Sequence, residues 1–223
     1  MENYMINLIL DLSKLSVDEA RAFKSFLNKM QPNTDSQHIV PLREVIPGTI
    51  FRFGGYSWLK VRECREEANE PENAAFVILN AEHSMAYNNG DICRNPFESD
   101  VQAYIDEEVV SHMYEVCGCD LSNIFYTWKQ TSKSMDGSFS GGFKYNFFSL
   151  PSFDFYRDNY HAIHMADEFF DGDWWLFTLC NDIGENACAV YVNDNSLNDD
   201  YLTAVNLVYP LACMKGSTLV SVD

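Results

Sequence analysis

The stretch Gly172-Asp173-Trp174-Trp175-Leu176-Phe177-Thr178-Leu179 constrains the fold more than any other. Its apolar run is too short for a helix and has the length of a buried strand. Successive side chains on a strand point to opposite faces, so the two tryptophans cannot share one layer. One fills a core; the other faces solvent, a second layer or a partner.

Further strands surround it in sequence. Residues 47–61, PGTIFRFGGYSWLKV, read as a β-hairpin turned at Gly54-Gly55. Residues 74–81, AAFVILNA, are apolar enough for a central strand, and 143–150 are strand-like. The C-terminal part is all β: WWLFTL, then 187–192, an Asn/Asp/Ser turn, 205–214 and STLVSV. A helix is predicted over 99–116, capped by Ser99, with Val101, Tyr104, Ile105, Val109, Met113 and Val116 on one face. A short helix is predicted over 151–163, with Pro151 in its first turn. Strands and helices do not alternate as βαβ units, which makes the fold class α+β with a mainly antiparallel sheet.

Residues 1–31 read as amphipathic helices. Ser16 and Glu19 form a capping box, and Val17, Ala20, Phe23, Phe26, Leu27 and Met30 recur at helical spacing. Phe23, Phe26, Leu27 and Met30 are the candidate oligomer contacts, packing on the main domain or on a second copy as a homodimer. Residues 32–41 are polar, with Pro32 and Pro41 near the ends, and read as a linker. The domain organisation expected is therefore 1–31, 32–41 and 42–223.

Charge narrows the partners. The chain carries 33 acidic and 15 basic residues, a formal −18, and residues 158–223 hold eleven acids against one base, Lys215. Such a surface repels nucleic acid and attracts basic proteins, including those that themselves bind nucleic acid. The candidate partner surface is Asp167, Glu168, Asp171, Asp173, Asp199 and Asp200. No apolar run approaches the roughly 18 residues of a membrane span. The opening Met-Glu-Asn-Tyr lacks a basic signal region, so a cytoplasmic location in a host cell is expected, with no membrane partner. Seven cysteines, an odd number, make a poor disulfide framework and read as reduced thiols.

Motifs for chemistry are weak. His161, His164 and Asp167 are the best metal candidates, but Asp167 turns away from the two histidines on a helix. Residues 193–200, NDNSLNDD, lack the glycine and terminal glutamate of an EF-hand and read as an Asn/Asp turn. No G-x-S-x-G and no phosphate loop is present in the sequence. The expectation is a protein without catalytic residues, metal or cofactor.

The order of the segments resembles the DUF6273 family of uncharacterised domains, found in gut Firmicutes and their prophages. The matching stretches are Phe53 to Val61 (FGGYSWLKV), Ser99-Asp100-Val101 with Tyr104-Ile105, and Phe148-Ser149-Leu150-Pro151. Later matches are Trp174-Trp175-Leu176, residues 192–197 (VNDNSL) and Val208-Tyr209-Pro210-Leu211-Ala212. The resemblance covers residue 42 to the end. Tyr209 stands where the family usually has arginine, and Leu179 where it usually has proline. The resemblance implies a C-type-lectin-like domain that presents variable loops, here Asn193, Asp194 and Asn195 beside Trp175. With the charge, it implies a phage- or prophage-type binding protein. Its expected action is to block a basic, nucleic-acid-handling host protein as a counter-defence (anti-CRISPR-like) inhibitor. The alternative is a ligand- or receptor-binding lectin-like module of a phage particle or diversified protein.

Overall fold

The computed structural model describes residues 38–222, apart from residues 91, 139, 182–183 and 193–195. The amphipathic segment 1–31, with Phe23, Phe26, Leu27 and Met30, lies outside the described residues, as do Asn193, Asp194 and Asn195. In chain order the strands are β1 (His38–Pro41), β2 (Ile50–Phe53), β3 (Tyr56–Glu63), β4 (Ala74–Leu79) and β5 (Ser84–Ala86). Then come β6 (Phe125–Tyr126), β7 (Trp128–Lys133), β8 (Ser140–Asn146), β9 (Phe148–Ser149) and β10 (Trp174–Leu179). The last are β11 (Asn186–Tyr191), β12 (Ser196–Tyr201), β13 (Val205–Leu207), β14 (Leu211–Lys215) and β15 (Leu219–Val222).

Among the described residues these strands form two sheets and a ribbon. The first sheet has the order β1-β15-β2-β3-β4-β14-β6, with β9 also on β14. The second has the order β12-β11-β10-β13-β5, and β7 pairs with β8 as a two-stranded ribbon. Antiparallel pairing dominates, as expected, with parallel contacts at Trp174–Leu207 and Ser134–Leu179. The strand β1 falls inside the stretch read as linker: residues 38–41 pair beside the final strand rather than bridging to the domain. Polar composition and flanking prolines concealed it, because an edge strand needs no apolar run.

Local sequence explains the elements that were expected. The hairpin β2–β3 pairs Phe53 with Tyr56 across Gly54-Gly55, both at positive φ, the geometry of a tight two-residue turn. Gly54 is also forced by packing, since a Cβ there would fall 2.6 Å from Val116 Cγ1. The central strand β4 is buried at all six positions between β3 and β14. A helix, α1, runs from Asp100 to Cys117, with a π-helical turn at Ile105–Val109 inside it. The Ser99 side chain accepts from the Gln102 N–H at its start, and Gly118 ends it in the left-handed region. Its buried residues Val101, Ile105, Val109, Met113 and Cys117 recur every four positions. A spacing of four overshoots a 3.6-residue turn, and a wider π turn keeps the stripe on one face. Two shorter helices, α2 (Phe153–Asp158) and α3 (Tyr160–His164), occupy the region predicted as one. Ser152 supplies the cap, accepting from the Phe155 N–H at 3.1 Å, which leaves Pro151 ahead of the helix and not in its first turn.

The tryptophan pair is where the expectation fails. Both rings are buried, Trp174 at 1% exposure and Trp175 at 0%, so Trp175 forms no surface. Alternation still holds, but each face of the strand meets its own core. Trp175, Phe177 and Leu179 join Val77, Leu79, Val101, Ile105 and Phe148 under α1. Trp174, Leu176, Cys188 and Val190 join Phe76, Ile78, Tyr156 and Ile163 under α2 and α3. The strand β4 is split in the same way, with Ala75, Val77 and Leu79 on one core and Ala74, Phe76 and Ile78 on the other. The outward ring found a second layer.

Beside the β3–β4 register shift between Lys60 and Arg62 lies a partly buried ion pair. Arg62 donates to both oxygens of Glu70, at 2.6 and 2.7 Å, with its guanidinium 4.6 Å above the Phe76 ring. Burial alone would raise the Glu70 pKa. The Arg62 bonds, the Arg65 N–H at 2.7 Å and both guanidinium charges outweigh it and hold the carboxyl below its ordinary range. A depressed folded pKa adds stability above the unfolded value of about 4.3, and that stability is lost as pH falls through the folded value. Glu70→Gln should therefore cost about 1–2 kcal/mol at neutral pH. The gap between variant and parent should close below about pH 4, in urea melts taken across pH. A gap that stays constant down to pH 3 would show that the ionised carboxylate contributes nothing.

Candidate functional site

Three of the acidic candidates, Asp173, Asp199 and Asp200, lie toward one edge of the second sheet. Strand β12 pairs residue for residue with β11, from Asn186–Tyr201 to Tyr191–Ser196, and is the last strand of the sheet order. Asp199 and Asp200 therefore stand on an edge strand, not in the turn expected for residues 193–200. Asp199 is exposed and accepts from the Asn186 side-chain amide at 2.6 Å. Asp200 accepts from the Asn206 amide at 3.1 Å and from the Tyr201 N–H at 2.9 Å. Asp173, just before β10, accepts the Val192 N–H at 2.9 Å, while its backbone carbonyl accepts from Leu207.

Asp199 and Asp200, adjacent on the strand, point to opposite faces of the sheet, and the charges of all three carboxylates act on Tyr191. Burial first, then the charges of Asp200, Asp173 and Asp199, push its phenol above the ordinary range. Asp173 is thus part of the scaffold: it holds the end of β11 in addition to contributing charge. Glu168 and Asp171 are exposed in the segment leading to β10. Asp171 is fixed there by its N–H, which donates to the buried Tyr209 hydroxyl at 3.0 Å. Tyr209 also donates to the Phe169 carbonyl at 3.4 Å. Of Asp167 only the backbone is described, in the single turn Asp167–Phe169. Two apolar groups flank the acids: Tyr201, 72% exposed, and Val205, also exposed. Charges on an edge strand also block unwanted strand pairing, so this surface has a structural use in any case.

A second surface was not foreseen. The ribbon β7–β8 buries Trp128, Gln130 and Ser132 and turns Lys129, Thr131 and Lys133 outward. Opposite them on β8 are Tyr145, paired with Lys129, and Phe143, paired with Thr131. Phe143 is 54% and Tyr145 64% exposed, their rings meet edge to face at 5.8 Å, and Lys129 Nζ lies 4.1 Å from the Phe143 centroid. With Lys144 the ribbon concentrates three lysines on a strongly acidic chain. The alternation in WKQTSK was the available signal. The buried atoms Trp128 Nε1, Ser132 Oγ and Asn146 Nδ2 have no hydrogen-bond partner among the described residues. Such atoms call for water or a ligand.

The histidine cluster resolves differently. His164 Nε2 and the Tyr156 hydroxyl are 2.8 Å apart, a contact that ties α3 to α2, while His161 is exposed. Among the described residues no three His, Cys, Asp or Glu side chains lie together as a metal-binding group. No helix among them is long and apolar enough to cross a membrane. No protein-family model, no curated protein and no solved structure matches this chain.

Proposed function

We propose that this chain is a non-catalytic binding protein that recognises a basic protein through the acidic edge of its second sheet. The observation that carries the reading is the edge strand β12, which presents Asp199 and Asp200 beside exposed Tyr201 and Val205 on a platform whose next two strands are buried in their centres. Rigid support, a concentrated negative field and an exposed aromatic group are what a protein interface needs from one partner. The two-sheet arrangement, with the final strand beside the first, supports a C-type-lectin-like domain. Joined to the resemblance described above, it supports an inhibitor of a nucleic-acid-handling protein inside a host cell, of phage or prophage origin.

A second reading is favoured by the ribbon. Exposed Phe143 and Tyr145, with unpartnered polar atoms beneath them, suit a receptor- or ligand-binding module of a phage particle. Two variants separate the readings. Glu168→Gln, Asp171→Asn and Asp199→Asn together remove exposed acidic charge from β12 and from the segment before β10 while sparing Asp173, and Phe143→Ser with Tyr145→Ser strips the ribbon. Partners retained from host lysate by the parent are identified, and their association rates are measured at two salt concentrations. The acidic reading expects basic partners whose association slows on the order of tenfold in the triple variant and at high salt. Dissociation should change less, because rim charges act mainly on encounter. A partner that ignores salt and the triple variant, and is lost with the ribbon variant, overturns the acidic reading for the second one.

A further inference from the structure

Three sulfur atoms gather beside the acidic edge strand, where Cys188 pairs with Asp199. Cys180 follows β10, Cys188 lies in β11, and their Sγ atoms are 3.7 Å apart. Cys188 Sγ is 3.9 Å from Met135 Sδ, at the turn joining β7 to β8. We propose that Cys180, Cys188 and Met135 form a three-sulfur site for a soft monovalent cation, Cu(I).

A register shift builds the site. Trp175 pairs with Ala189, but Leu179 pairs with Ala187, so β10 carries two extra residues opposite Cys188. Had the first register continued, Cys180 would face residue 184. Instead its N–H donates to the Asn186 carbonyl at 3.1 Å, which leaves its side chain diagonal to Cys188 on the same face. Met135 is fixed by the same strand end. Its N–H donates to the Leu179 carbonyl at 2.8 Å, and the next residue, Asp136, donates to the Cys180 carbonyl at 3.3 Å. Three separate chain segments are thus locked by backbone bonds, and positions set by the backbone keep ligands where a metal needs them.

The spacing and chemistry fit a small soft ion. An ion held by three sulfurs at about 2.3 Å spaces them about 4.0 Å apart, close to the 3.7 and 3.9 Å separations here. Two thiolates and a thioether select Cu(I) over harder ions, whereas Zn(II) wants four ligands, and Asp199 is already held by Asn186. The field is favourable, because Asp199 and Asp136 both act on Cys180. Hydrogen bonding from Cys188 pulls the Cys180 thiol below its ordinary range, while the same contact and burial push Cys188 well above it. Binding is balanced as Cu(I) plus two thiols giving a copper bis-thiolate and two protons, with no change of oxidation state. Cys180 is half-buried and Met135 exposed, so the ion has an entry path.

The test uses the reduced full-length protein under anaerobic conditions, titrated with Cu(I) against a chromogenic Cu(I) chelator. One Cu(I) per chain should be withdrawn from the chelator, with a thiolate-to-copper absorption band in the near ultraviolet. Cys180→Ser should weaken this by about 100-fold or more and Met135→Leu by about tenfold. Cys64→Ser, in a pair with Cys213 at 3.4 Å that has no third sulfur in contact among the described residues, should leave it unchanged. Met135→Leu keeps an exposed side chain of similar size, so its result stands even where Cys180→Ser disturbs folding. Equal binding by parent and Met135→Leu overturns the three-sulfur site. So does loss in Cys64→Ser, or Zn(II) bound as tightly as Cu(I). Failure to bind Cu(I), with ready closure of Cys180 and Cys188 to a disulfide by glutathione disulfide, also overturns it and makes the pair a redox couple.

Discussion

Trp174→Ala and Trp175→Ala should each destabilise the protein by about 3–5 kcal/mol, with similar losses. The two rings sit back to back on one strand and fill different cores. Trp174 stacks on Phe170, with centroids 5.0 Å apart and planes 9° from parallel, and meets Tyr156 and Tyr209 edge on. Trp175 meets Tyr87 edge to face at 5.4 Å, and its Nε1 donates to the Met85 carbonyl at 2.9 Å. Removing either ring opens a cavity that rigid neighbours cannot close. Urea melts of both variants check this, and the m-value should stay constant if unfolding remains two-state. A loss under about 1 kcal/mol for either variant would mean that its ring is not in a packed core. Trp175→Phe adds a finer test: it keeps most of the volume but leaves the Met85 carbonyl without its donor, at a cost of about 1–3 kcal/mol.

Lys60→Met should cost about 2–4 kcal/mol although methionine is the better core residue by hydropathy. Lys60 is 0% exposed in the middle of β3. Its ammonium donates to the Leu42 carbonyl at 2.9 Å, to the Val45 carbonyl at 2.6 Å and to the Glu63 carboxylate. Three donors meet three acceptors, so the buried charge is fully satisfied. The two carbonyls belong to the turn that follows β1, and the lysine thereby pins the start of the domain to its first sheet. Glu63→Gln should cost less than about 1 kcal/mol, because that side chain is half exposed and its pair is screened. Thermal melts of the two variants check the contrast. For a domain of this size the lysine variant should melt roughly 5–15 °C lower. Equal, small shifts would show that the carbonyl contacts are not made.

The sequence by itself determined the local elements whose causes are local. Gly54-Gly55 dictated the β2–β3 turn, Ser99 and the apolar stripe dictated α1, and the unbroken apolar run of Ala74–Leu79 dictated a buried central strand. It also determined that Trp174 and Trp175 face opposite ways, since that follows from strand geometry alone. What lies on each side does not follow from it. Only tertiary structure placed a second core under α2 and α3, which turned an expected surface ring into a buried one. The acidic residues were visible as a composition, but their roles were not. Asp173 became an acceptor for the Val192 N–H, and Asp199 an edge residue through the pairing of β12 with β11. The sulfur group was the least visible of all. Cys180, Cys188 and Met135 have no motif spacing, and they meet because β10 shifts register by two residues against β11. Turns, caps and periodicity act over a few residues and are written in the chain. Registers, shared faces and buried partners are decided by competition among distant segments for the same space, which only the folded chain resolves.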